Sequence, residues 1–277
     1  MTDVWTFPRA CCSVSGMRWL VLILLLFPSN SGASDICVGV SDVSSNPNAP
    51  AALVQAYEDV KVGLEHFPSL IEAVDENSPS LCLSDTMDNA HGYYDIERNR
   101  IYLSERLSPA MLVGVLLHEI RHLEQSVLGI CPSDALAMEE YARATFALEA
   151  DASAVSILIA WDMKENGNSG PWTALSEWPT QADIASAFAA EMLASGDVSS
   201  AASAAFDQWY ASETRREKYY IAACSGLLDR RDLSHALPRY QLVPSDFLDG
   251  LCRLPDGSTY ECTLKEVERG QAPPIGR

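Results

Sequence analysis

From Ser108 to Gln125 the chain carries a run that has to fold as a helix inside the protein. Ser108 is an N-cap residue, Pro109 suits the first helical position, and no breaker except Gly114 follows. Met111, Leu112, Val113, Val115, Leu116, Leu117, Ile120 and Leu123 make the helix apolar nearly all round, the pattern of a buried helix. Two histidines and a glutamate, His118, His122 and Glu119, stand in that same run. Such groups are costly to bury without partners, so any fold of this chain has to supply them.

The spacing names a partner. Residues 118 to 122 read His-Glu-Ile-Arg-His, an HExxH pentapeptide. On a helix, positions i and i+4 share a face, so His118 and His122 can aim their imidazoles at one ion. Glu119 sits about 100° round the helix, where it reaches a water beside the ion rather than the ion itself. The pattern is that of a hydrolytic zinc site with Zn2+ as cofactor and Glu119 as general base. Three protein ligands complete such a site, so a third is expected downstream. His235 is one candidate, but the continuation HExxHxxGxxH is absent, with Gln125 in place of its glycine and Leu128 in place of its histidine. The stretch Ala147-Leu-Glu-Ala-Asp-Ala-Ser-Ala154 puts Glu149 and Asp151 among small residues that let two helices pack closely. Glu149 is read as the ligand and Asp151 as an acceptor for a histidine N–H, with the two roles open to exchange. Tyr141, Arg143, Tyr219, Tyr220 and His235 are candidates to stabilise an oxyanion.

With these residues in view, the chain resembles the zincin metallopeptidases of the glutamate-ligand type. It is most similar to a poorly characterised group of bacterial proteins classed as metallopeptidases. There a Gly-Tyr strand, HExRHxxQ and Glu-Ala-Asp-Ala occur in that order; here they are Gly92-Tyr93-Tyr94, His118 to Gln125 and Glu149 to Ala152. The likeness covers roughly residues 85–165. It departs from the thermolysin-like Glu-x-x-x-Asp pattern, because Ser153 stands four residues after Glu149.

The amino terminus reads as a signal peptide: Arg18, then nine apolar residues from Trp19 to Phe27, Pro28, and Ser31-Gly32-Ala33 as a cleavage site. A start at Met17 gives a more compact leader, and the apolar run cannot span a bilayer. Eight cysteines are present, of which Cys11 and Cys12 fall before the cleavage site. The remaining six, Cys37, Cys82, Cys131, Cys224, Cys252 and Cys262, suit three disulfides in an exported, periplasmic or secreted protein. Cys252 and Cys262 flank the turn signal Pro255-Asp256-Gly257, which predicts a local bridge; the other four allow three pairings. Net charge is −19, and since Arg9, Arg18 and Asp3 give residues 1–33 a net +1, the mature chain stands at −20. Nucleic acid and anionic membrane surfaces are therefore poor partners, and a peptide or protein substrate is expected.

Helical spacing is expected over Asn46 to Phe67, Pro68 to Val74, Ser133 to Met163, Ala182 to Ala194 and Ala201 to Leu228, with a loop over Ser78 to Ala90. Gly92 to Leu103 reads as a hairpin turning at Glu97 to Arg100, and an edge strand there could hold an extended peptide. The expected fold is α+β and predominantly helical. It has a zincin-like core, a small hairpin or edge strand before the HExxH helix, and a helical carboxyl-terminal shell. One metallopeptidase-like domain is expected over 34–277, with its core at about 85–165 and an extension over about 170–277. Two other readings compete. A di-iron bundle needs a second ExxH pair, which the chain lacks. An exported acidic helical binding module, its zinc site structural or inactive, is the other.

Overall fold

The computed structural model describes residues 35–87 and 91–267. The leader expected over 1–33 and the loose tail expected from Arg269 lie outside the described residues. In chain order the elements are β1 (Ile36–Gly39), α1 (Ala51–Gly63), α2 (Pro68–Asn77), β2 (Ser80–Ser84), β3 (Gly92–Asp95) and β4 (Arg100–Ser104). There follow α3 (Pro109–Val127), α4 (Met138–Glu165), α5 (Gly170–Glu177), α6 (Ala182–Ser195), α7 (Val198–Trp209), α8 (Glu213–Leu233) and α9 (Phe247–Leu251). The fold is α+β and mostly helical, with one four-stranded sheet.

Two helices carry the core. On α3 every residue from Met111 to Gln125 is buried, and on α4 burial is unbroken from Ala144 to Ala160. The pair pack on each other. Helix α3 also meets α1, α2, α5, β3 and β4, and α4 is wrapped by α5, α6, α7 and α8. The start of α3 follows its sequence signals: the Ser108 hydroxyl accepts from the Met111 N–H at 3.3 Å, with Pro109 at the first position.

The sheet runs in the order β1-β2-β4-β3. The expected hairpin is β3 and β4, antiparallel, with Tyr93 opposite Tyr102 and their rings stacked at 4.7 Å. Its last turn residue, Asn99, takes the left-handed conformation (φ 50) that asparagine tolerates. Strand β4 lies inside the sheet and β3 forms the edge. The loop expected over Ser78 to Ala90 contains a strand instead, β2, which runs parallel to β4 and antiparallel to β1. A disulfide joins Cys37 to Cys82 at directly opposed positions of β1 and β2.

Three helix starts or breaks differ from expectation, two for local reasons and one through a long-range pairing. Helix α1 begins at Ala51 rather than Asn46 because Pro50 holds an extended ψ of 129° before it. Helix α4 begins at Met138 rather than Ser133 because Leu136 bridges to Gln241 and the Ala137 N–H donates to the Gln241 carbonyl at 2.8 Å. The stretch expected as one helix from Ala201 to Leu228 is broken after Trp209, where Ser212 caps α8 by accepting from the Arg215 N–H at 3.3 Å.

Edge strand β3 lies directly on the HExxH helix at Gly92. A methyl group there would come within 2.5 Å of Val115 Cγ1 and 3.2 Å of Glu119 Oε1. Only glycine permits this approach. Gly92→Ala is expected to lower stability by about 1–3 kcal/mol, the usual range for overpacking a core, as read by urea unfolding.

Candidate metal centre

His118 and His122, one turn apart on α3, turn their Nε2 atoms toward each other at 3.0 Å with the rings nearly perpendicular (83°). Glu149 projects from α4 against both, its oxygens 3.4 Å from His118 Nε2 and 3.5 Å from His122 Nε2. Small neighbours on α4, among them Ala150, Ala152 and Ser153, allow the helices to close to this range. Ligands placed tetrahedrally about 2.0–2.1 Å from an ion stand about 3.3–3.4 Å from one another. The Glu149 contacts, Oε2 to His118 and Oε1 to His122, are close to that spacing and the imidazole pair is tighter; the two imidazoles and one carboxylate are a donor set for a borderline divalent ion such as zinc.

The tautomer of His122 fits as well. The Gln125 amide Nε2 donates to Asp151 Oδ2 at 2.7 Å and to the Leu148 carbonyl at 3.1 Å. Its Oε1 therefore faces His122 Nδ1, at 2.8 Å, and must accept from it. The proton on Nδ1 leaves Nε2, inside the triad, with a lone pair for an ion. The histidine partner expected to be Asp151 is thus Gln125, and Asp151 acts one residue further out.

Asp151 is held by a different set of groups. It accepts from Arg121 Nε at 2.7 Å, Arg121 Nη2 at 3.0 Å, Gln125 and the Tyr260 hydroxyl at 2.6 Å. Arg121 in turn reaches Glu124 and the carbonyls of Leu251 and Arg253. Glu149 and not Asp151 stands in the triad with the histidines.

Burial sets the charges of the metal-free site. It drives His118 down to about 4, against the pull of the Glu149 carboxylate. For His122 burial also disfavours the charge, but the adjacent Glu149 outweighs it and raises the group to about 9. Glu149 is buried too, yet the neighbouring imidazoles hold it at about 2. Burial lifts Glu119 to about 8, with the Glu149 charge adding to it and the Tyr94 backbone of β3 opposing it. Near neutral pH the metal-free site thus holds an ionised Glu149, a protonated His122 and a protonated Glu119.

Of the five oxyanion candidates, the structure brings Tyr219 to the site: burial pushes its pKa well upward, and the nearby Glu149 charge adds to the shift. Tyr141 accepts from Arg230, Arg143 is engaged by Glu140 and Glu266, and His235 is exposed beyond α8. Arg121 and Gln125 are the Arg and Gln of the HExRHxxQ segment, whose spacing assigns them no role, and Tyr260 carries no signal in the sequence. Gln125 carries one local signal, its place three residues after His122 on the same helix face.

A two-helix His-His-Glu centre beside an edge strand is the kind of site a metal-dependent hydrolase carries. The chain belongs to the "Putative metallopeptidase family (DUF6782)", whose family model matches residues 31–262. That membership implies a metal, hydrolase activity and a peptide or protein substrate. No curated protein and no solved structure matches the chain. The disulfides Cys37–Cys82 and Cys252–Cys262 suit an oxidising, exported setting, and the second is the local bridge expected across the Pro255 turn.

Two outcomes follow from this geometry. Arg121→Leu leaves Asp151 charged and buried without its main partner, so it is expected to cost about 3–5 kcal/mol in urea unfolding. A metal must also displace the proton that Glu149 holds on His122. Apparent affinity should therefore rise about tenfold per pH unit as pH climbs toward about 9, as measured by chelator competition. A flat profile between pH 6 and pH 8, roughly the span between the ordinary and raised histidine values, would contradict the assignment.

Proposed function

We propose that the protein is a zinc metallopeptidase in which His118, His122 and Glu149 hold the ion and Glu119 is the general base. The observation that carries this reading is the convergence of three buried donor residues, with a second carboxylate, Glu119, one residue along from His118. A zinc ion held there supplies a Lewis acid that acidifies water and polarises a carbonyl. Burial raises the Glu119 carboxyl in the metal-free site, and a cation beside it would favour the ionised form, which takes a proton from water and can return it to the leaving amine. Gln125 keeps His122 in the tautomer that presents Nε2. Strand β3, an outermost strand of the described sheet, lies beside Glu119. The reading includes export by a leader over 1–33 and a peptidase domain over 34–277, with its core at about 85–165.

One observation favours a second reading, an exported acidic module whose metal is structural. His118, Glu119, His122 and Glu149 are each no more than 3% exposed, and closed sites are the structural ones. Three protein donors instead of four argue for the catalytic reading, which then requires the shell over the site to open for substrate.

Metal analysis and Glu119→Gln separate the two. The peptidase reading expects about one zinc per chain in both proteins, with peptide hydrolysis lowered about 10²–10⁴-fold in the variant. His118→Ala or His122→Ala should abolish binding, and Glu149→Gln should weaken it by less. Zinc retained by the unaltered protein with no hydrolysis of a broad peptide library would leave the structural reading.

A further inference from the structure

Residues 252–262 form a small loop closed by the Cys252–Cys262 disulfide just after α9. Inside it Leu254 N–H donates to the Ser258 carbonyl at 2.8 Å, Tyr260 N–H donates to the Cys252 carbonyl at 3.2 Å, and Gly257 takes φ 90 at the turn. Leu254, Pro255 and Tyr260 turn inward from the loop, and of these Tyr260 alone carries a polar side-chain group. Tyr260 is 5% exposed and its hydroxyl reaches Asp151 Oδ1 at 2.6 Å, across 109 residues of chain. The backbone at the loop's base is fixed from the other side, since Arg121 Nη2 donates to the Leu251 carbonyl at 2.8 Å and the Arg253 carbonyl at 2.9 Å.

From Tyr260 a single path of hydrogen bonds leads to the triad. Tyr260 donates to Asp151 (2.6 Å), Gln125 donates to Asp151 (2.7 Å), and His122 Nδ1 donates to Gln125 (2.8 Å). Each link sets the orientation of the next: Asp151 can only accept, so Gln125 must turn its NH2 toward it and its oxygen toward His122. We infer that the disulfide-closed loop is a positioning element of the metal site, with Tyr260 acting on His122 through Asp151 and Gln125. The inference rests on the metal reading of the triad given above. It also gives the far carboxyl-terminal segment a part in the site beyond that of a packing shell. Outer partners of this kind commonly change metal affinity by about 10- to 100-fold.

The test uses the full-length protein and two probes, zinc affinity by chelator competition and the visible absorption of the cobalt(II)-loaded form. Tyr260→Phe is expected to weaken zinc binding about tenfold and to shift the cobalt bands. Gln125→Ala should do the same. In the doubly substituted protein the loss should equal that of Gln125→Ala alone, because both act along one path. Replacing the disulfide with the pair Cys252→Ser and Cys262→Ser should move affinity and bands in the same direction as Tyr260→Phe. A Tyr260→Phe protein that melts lower in its metal-free form but keeps the zinc affinity and cobalt bands of the parent would reduce the loop to a stabilising role. Additive losses in the double variant would equally overturn the path. Absence of zinc binding by the unaltered protein is a separate outcome, and it removes the metal reading itself.

Discussion

Arg121 is a guanidinium sealed between two helices, 1% exposed, and its charge has to be met inside the protein. Asp151 meets it through two hydrogen bonds, Glu124 adds a second carboxylate, and Nη2 also donates to two backbone carbonyls. A buried ion pair adds little to stability in itself, because desolvation offsets much of the attraction. What it fixes is arrangement. It sets the register of α3 against α4, and with it the distance from the two histidines to Glu149. It also anchors the base of the 252–262 loop. The triad, the Gln125 link and the carboxyl-terminal segment are therefore all referred to one charge pair.

The site is also organised by what surrounds its charges. Four ionisable groups, His118, Glu119, His122 and Glu149, lie in a region without solvent, and their proton affinities are driven apart, down for His118 and Glu149 and up for Glu119 and His122. In water all four would titrate within a few units of one another. The difference comes from burial and from a carboxylate facing two imidazoles at about hydrogen-bond range. The arrangement favours a bound cation: an ion in place of the His122 proton keeps the Glu149 charge compensated.

Much of this was legible where the cause is local. Ser108 and Pro109 marked the start of α3, eight apolar residues marked its burial, and the turn Glu97 to Arg100 marked the hairpin. Small residues around Glu149 signalled a close helix contact, and the family match makes a metal and a hydrolase the expectation for the whole chain. What escaped was set at long range. Strand β2 is a strand because β1 and β4 flank it, and α4 starts late because Gln241 pairs with Ala137. The Gln125 amide has a direction only because Asp151 and Leu148 take its NH2, and Asp151 is spoken for by Tyr260 and Arg121. No reading of residues 118–125 alone could assign those partners.

Helix α4 has a consequence outside the folded protein. At 28 residues it is long and apolar enough to cross a bilayer, and between Ala144 and Trp161 its only charged residues are Glu149 and Asp151. While the chain is unfolded, an apolar segment of this length can partition into lipid. A carboxylate near the middle of an apolar segment opposes lateral release into the membrane by about 2.5–3.5 kcal/mol. The same two side chains that face the histidines and Arg121 in the folded state thus make this segment a poor membrane span before it folds.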